Sequence, residues 1–198
     1  GTTIRFGTAV ASCSFVSTTQ MNCTVPAGSA GGAAAVSVTT AGGTTSLSGG
    51  YTYIVSLSLA LNKSELEMSG VPGDLIADYL IANVKTDNPK GYNLSISASD
   101  VNLTCAGDNT KQIAALPSTA GAMQNNKWGY SVSDGSSNIP SNWTGITTSM
   151  VSVDGLIGSA TGENGRDVAV WFGTRVDLTQ PPCANYATKV IFTAIGNI

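Results

Sequence analysis

Apolar and polar side chains alternate one for one along most of this chain. Val36 and Val38 are interleaved with Ser37 and Thr39, the pair Gly42-Gly43 marks a turn, and Thr44 to Tyr53 continue as an extended run. Val55, Leu57, Leu59 and Leu61 alternate with Ser56, Ser58, Ala60 and Asn62. The pattern returns in Tyr92, Leu94, Ile96 and Ala98, set against Asn93, Ser95, Ser97 and Ser99. It returns again in Val168, Val170 and Phe172, set against Asp167, Ala169 and Trp171, and in Val190, Phe192 and Ala194 near the C-terminus. Successive side chains of a strand point to opposite faces, so a period of two predicts strands with one face buried. Asn88-Pro89-Lys90-Gly91 has proline at the second and glycine at the fourth turn position. That predicts the link between a strand around Tyr79–Thr86 and the one beginning at Tyr92. No amphipathic helical repeat is present; Asp74–Leu80 has room for one short helical turn. The pattern predicts an all-β chain, and its length fits two domains in tandem, residues 1–54 and 55–198. At Ile54–Val55 two extended segments meet without a Gly/Ser- or Pro-rich spacer, so the junction predicts a stiff rod.

Composition narrows the function classes. Only 11% of residues are charged, against about 25% in an ordinary soluble domain. With nine Lys and Arg and a net charge of −3, the chain lacks the clustered cations that a phosphate backbone requires, which excludes nucleic acid as a partner. It has no histidine, which excludes His-ligated metal sites and any histidine-dependent triad within it. No apolar run approaches the roughly 18 residues of a spanning helix, so no membrane insertion is expected. The opening at Gly1 is not a signal peptide and the C-terminus carries no anchor, as in a mature or excised segment. The charge is also unevenly placed: Arg5 is the one charged residue before Lys63. Soluble sheets normally protect their edges with charge, so this half either relies on hydroxyls for solubility or is covered by other protein.

The four cysteines suit an oxidising compartment. Cys13 and Cys23 are symmetric about Thr18, in a hairpin pattern with the polar turn Ser17-Thr18-Thr19-Gln20. Residues equidistant from a turn face each other, at about 4.5 Å between Cα atoms in a non-hydrogen-bonded pair, within disulfide reach. Cys105 and Cys183 then pair across a long loop. Four free buried thiols are the alternative; the absence of C-x-x-C and of histidine argues against metal.

The segments Thr2-Thr3-Ile4-Arg5-Phe6-Gly7, Cys13-Ser14-Phe15-Val16, Gln20-Met21-Asn22-Cys23-Thr24-Val25-Pro26-Ala27-Gly28, Ala35-Val36-Ser37-Val38-Thr39-Thr40 and Gly50-Tyr51-Thr52-Tyr53 together resemble an IPT/TIG domain. The resemblance covers residues 1–54 and implies an immunoglobulin-like β-sandwich of the kind found in cell-surface proteins. Family members open with further N-terminal strands that have no counterpart here. The resemblance therefore implies a sandwich lacking its first strands, to be supplied by another chain or by sequence preceding Gly1; the alternative is a truncated or divergent, shorter domain. Residues 55–198 resemble β-rich modules in surface proteins of candidate-phylum bacteria. The matching pieces are Thr86 to Leu94, Trp128-Gly129-Tyr130-Ser131, Phe172 to Asp177 and Tyr186 to Ala194. That likeness implies surface display and no particular chemistry, and the two resemblances together imply two immunoglobulin-like β-sandwich domains in tandem, residues 1–54 and 55–198.

Candidate chemistry is sparse. Ala27-Gly28-Ser29-Ala30-Gly31 is a near-miss to a nucleophile elbow, but it lacks a histidine base and a strand-to-helix turn. Glu65/Glu67, Asp74/Asp78 and Glu163/Asp167 are loose carboxylate pairs with no spacing that dictates a glycosidase site. Asp134-Gly135-Ser136-Ser137-Asn138 and Glu163-Asn164-Gly165-Arg166-Asp167 have loop oxygens suited to Ca²⁺ without an EF-hand spacing; no other cofactor is expected. Trp128, Tyr130 and Trp143, with Trp171, have the aromatic faces of a sugar-stacking platform, beside Asn125, Asn126 and Asn142. Such aromatics more often fill a core. Lys63, Lys85 and Lys189 with Asn197 are candidates for an intramolecular Lys–Asn isopeptide bond, with an exposed edge lysine the simpler reading. Asn22, Asn62, Asn93, Asn102 and Asn142 head N-x-S/T sequons.

The expectation from all of this is a non-enzymatic module of a bacterial surface protein or extracellular filament. Its expected partners are further copies, through sheet edges, or neighbouring domains of a longer chain. The alternative is a carbohydrate-binding module of a secreted protein using exposed Trp128, Tyr130 and Trp143.

Overall fold

The computed structural model describes residues 1–28, 31–133, 138–162 and 164–197. Among them there is no helix, and sixteen strands follow one another. They are β1 (Thr3–Phe6), β2 (Ala9–Val10), β3 (Ser12–Ser17), β4 (Gln20–Thr24), β5 (Gly32–Thr40), β6 (Gly43–Tyr53), β7 (Leu57–Leu61) and β8 (Leu75–Thr86). The series continues with β9 (Gly91–Ala98), β10 (Leu103–Cys105), β11 (Asp108–Ala115), β12 (Lys127–Ser133), β13 (Val151–Ile157), β14 (Arg166–Arg175), β15 (Tyr186–Ala187) and β16 (Val190–Gly196). The fold is all-β, as the alternation predicts.

Strands β1–β6 form a four-stranded sheet in the order β2-β1-β5-β6 and a separate β3-β4 hairpin. The rest form a seven-stranded sheet, β15-β10-β11-β12-β14-β8-β7, and a three-stranded sheet, β13-β9-β16. No strand pairing among the described residues joins β1–β6 to β7–β16.

The main core lies between the seven- and three-stranded sheets. Leu80, Ala82 and Val84 of β8, Val168, Val170 and Phe172 of β14, and Trp128 and Tyr130 of β12 meet Tyr92, Leu94, Ile96 and Ala98 of β9 there. The alternation in β9 and β14 therefore marks the core face. In β14 the other face is buried too. Trp171 joins Leu116, Met123 and Trp143 in a second cluster against Leu75, Ala77 and Tyr79 of β8. A strand covered on both faces reads as continuously apolar.

This second cluster also explains a departure from expectation. Asp74–Leu80 forms no helical turn; β8 begins at Leu75 and pairs with β14 from Leu75↔Arg175 to Val84↔Arg166. Period-two placement sends Leu75, Ala77 and Tyr79 to one cluster and Leu80 to the other, and a helix could not serve both.

The turn at Asn88-Pro89-Lys90-Gly91 closes with Gly91 N–H donating to Asn88 O at 2.9 Å. Gly91 has φ of 82°, and a Cβ there would lie 1.8 Å from Leu156 O, so only glycine fits. The buried Asn88 amide donates to Asn197 O at 2.8 Å and Gly91 O at 3.1 Å, tying the turn to the C-terminal end of β16.

Both disulfides form as paired in the sequence. Cys13 opposes Cys23 across the β3–β4 ladder, with Cα atoms 4.0 Å apart. Cys105 joins Cys183 with Cα atoms 6.0 Å apart.

Candidate interaction surface

The aromatic residues with sugar-stacking potential are core residues. Trp128 is 2% exposed, Tyr130 6% and Trp143 1%, so the exposed platform is not formed. The reason is register. Trp128 and Tyr130 occupy the inward positions of β12, where the Trp128 Nε1–H donates to Val101 O at 2.9 Å, and burial pushes the Tyr130 hydroxyl pKa up. Trp143 lies on the opposite cluster, over Gly173; a Cβ at Gly173 would come within 2.6 Å of the indole. Trp171 is buried beside Tyr79, with ring centroids 4.6 Å apart.

The candidate acids are dispersed. Asp78 accepts from Lys63 Nζ at 2.8 Å and from Tyr79 N–H, and Asp167 accepts from the Asn83 amide at 2.7 Å. No group of three or more metal-ligating side chains occurs among the described residues. Residues 134–137 and Glu163 of the two Ca²⁺-type loops lie outside the described residues, as do Ser29 and Ala30 of the elbow near-miss. The Asn197 amide donates to Lys90 O at 2.8 Å and Leu156 O at 2.9 Å. It therefore braces backbone, and Lys63 is engaged by Asp78.

A charged cluster that no local motif announces joins three strands. Arg166 at the start of β14 forks onto Asp154 of β13, with both N–O distances 3.0 Å. The Tyr92 hydroxyl of β9 donates to the same carboxylate. Burial alone pushes the Asp154 carboxyl up. The hydrogen bonds from Arg166 and Tyr92, the Arg166 charge and the Gly155 N–H outweigh it and hold Asp154 below the ordinary carboxylate range. Burial, then the Asp154 hydrogen bond and charge, push Tyr92 up, so its hydroxyl stays a donor. The cluster clamps the three-stranded sheet to the seven-stranded one. Residues 92, 154 and 166 are linked only by tertiary pairing.

The surface with most unspent apolar character belongs to residues 1–54. In β1, β5 and β6 the rows Ile4↔Val38↔Thr45 and Phe6↔Val36↔Leu47 share one face, and Phe6 and Tyr51 meet edge to face at 5.3 Å. Thr3, Arg5, Ser37 and Thr39 take the other face, as directly paired residues share a side. The disulfide side of the hairpin is partly covered: Cys13, Met21 and Cys23 are half-buried although Phe15 on the same side is open, whereas Ser12, Ser14, Asn22 and Thr24 on the other side are all exposed. Its ends are anchored by Ala11 N–H to Ile4 O at 2.9 Å and by the Tyr53 hydroxyl to Pro26 O at 2.9 Å. Much of the apolar character of this portion stays open. Leu47 remains 66% exposed and Phe15 71%, with Val10, Val16 and Tyr51 also open. Ala11 is the one apolar residue of this portion below one-tenth exposure among the described residues.

The family comparison falls on this same portion. Residues 1–53 match the IPT/TIG domain family. An IPT/TIG domain is an immunoglobulin-like β-sandwich, with which the all-β fold of this portion is consistent, and the family is non-catalytic. An immunoglobulin-like domain and two disulfides are compatible with an extracellular protein. No curated protein and no solved structure matches the chain.

Proposed function

We propose that the chain is a non-enzymatic structural module of a bacterial cell-surface protein or extracellular filament, and that it associates with further copies through sheet edges. One observation carries the reading. The IPT/TIG portion leaves Phe15, Leu47 and Tyr51 open on a surface whose sole charged residue is Arg5. Contiguous apolar surface without charge protection is characteristic of a face that another protein covers. Strand addition suits it, because it pairs free backbone groups and covers side chains in one event. In this reading strand ladders bear tension and the Cys105–Cys183 bridge limits extension of the larger portion. The IPT/TIG family's non-catalytic character supports a mechanical over an enzymatic role, and burial of Trp128, Tyr130 and Trp143 favours it over glycan recognition by those residues.

Negative-stain microscopy with light scattering on the purified, oxidised chain tests it. Defined oligomers or fibres are the expected outcome. A chain that stays monomeric at high concentration would sink the reading.

A further inference from the structure

The edge-association reading leaves open which edge pairs and with what, and the following rests on it. Four strands of the IPT/TIG portion end a sheet or hairpin among the described residues: β2, β3, β4 and β6. Three carry features that blunt pairing. β2 is two residues long. β3 bulges at Val16, where its register with β4 shifts between Phe15 and Ser17. β6 bulges opposite Ala34–Val36 and contains Gly49 at φ 66°. Short edges and bulges are the devices by which sheets avoid edge-to-edge contact. β4 has neither. Gln20-Met21-Asn22-Cys23-Thr24 has no extra residue, charge or proline.

We propose that β4 pairs antiparallel with β4 of a second copy, about a two-fold axis through Asn22. The two hairpins then become one four-stranded layer, β3-β4-β4-β3. A two-fold interface needs a self-complementary patch, and this register supplies one. Gln20 meets Thr24, Met21 meets Cys23 and Asn22 meets Asn22. Residues directly opposite in an antiparallel pair share a face. Met21 and Cys23 of the second copy thus point to the same side as those of the first, the half-buried side of the hairpin. The exposed Gln20, Asn22 and Thr24 point outward and pair polar with polar. With Arg5 the sole charge in residues 1–62, no like charges oppose one another across the axis.

Analytical ultracentrifugation of the oxidised full chain is the test, with Asn22→Lys and Thr44→Lys compared. Asn22→Lys sets two ammonium groups opposite each other, whereas Thr44→Lys charges the β6 edge. The expected result is a dimer whose dissociation constant rises about tenfold or more with Asn22→Lys and is unchanged with Thr44→Lys. Hydrogen exchange on the unmodified chain gives a second readout that needs no variant to fold: β4 amides should lose protection on dilution. A dimer or fibre weakened by Thr44→Lys but not Asn22→Lys, or β4 protection independent of concentration, would overturn β4 pairing while leaving edge association standing. A monomer at every concentration would overturn both.

Discussion

Asp154 carries a charge in a place where burial disfavours it, and three partners make the charge tolerable. Arg166 supplies a fork of two N–H groups, Tyr92 a hydroxyl and Gly155 a backbone N–H. Its folded pKa lies below the unfolded value of about 3.9. The resulting stabilisation is therefore complete above about pH 4 and is lost as pH falls through that value toward the folded pKa. At neutral pH, Asp154→Asn should destabilise the chain by about 1–3 kcal/mol, toward the lower end because the Arg166 side chain is half-exposed and solvent screens it. Urea denaturation of both proteins checks this: the gap should narrow as the pH drops below about 4. The cluster was not legible in the sequence, since a lone Asp in Val-Asp-Gly reads as a solvated residue. Gly91 was legible, because Pro-Lys-Gly states its own turn; Gly173 was not, because its reason for being small is the indole of Trp143.

Among the elements, legibility follows how much information is local. Symmetry about Thr18 gives the β3–β4 pairs from Ser12↔Thr24 to Phe15↔Met21, Cys13↔Cys23 among them, but not the bulge at Val16 that sets Ser17 against Gln20. β9 and β14 were legible because each presents a run of alternating side chains to one core. β13 was not: its register with β9 shifts between Ser152 and Asp154, and a bulge breaks the period on which such reading depends. β10 and β15, at three and two residues, are too short to show a period at all. They are held instead by their neighbourhood, and the Cys105–Cys183 bridge lies there. That bridge spans a sequence separation of 78 and the other spans 10. The chain-entropy model assigns about 4.5 kcal/mol to the long loop and about 3 kcal/mol to the short one. Replacing Cys105 and Cys183 together by serine should therefore lower the unfolding free energy more than replacing Cys13 and Cys23. Denaturation of the two double variants measures the difference, and equal losses would contradict it.

For the whole molecule, the buried clusters among the described residues fall entirely within residues 59–194, and none of them belongs to the IPT/TIG portion. A chain of about 60 residues or fewer is marginal without added cross-links or partners. Expressed separately, residues 55–198 should unfold cooperatively near the parent's melting temperature, whereas residues 1–54 should depend on the Cys13–Cys23 bridge. Scanning calorimetry of the two fragments, the first with and without reductant, would show it; a residue 55–198 fragment that fails to fold would contradict the self-contained core. The sequence by itself determined the all-β class, the Cys13↔Cys23 register of the hairpin, both cysteine pairings and the nearly uncharged character of the first 62 residues. These follow from period, symmetry and composition, which are properties of neighbours along the chain. Only the tertiary structure decided that Trp128, Tyr130 and Trp143 are buried, that Asp154 holds Arg166 and Tyr92, and that among the edge strands of residues 1–54 β4 is neither short nor bulged. An aromatic's exposure, a charge's partner and an edge's freedom all depend on which distant strand lies alongside, and alternation along one strand cannot state it.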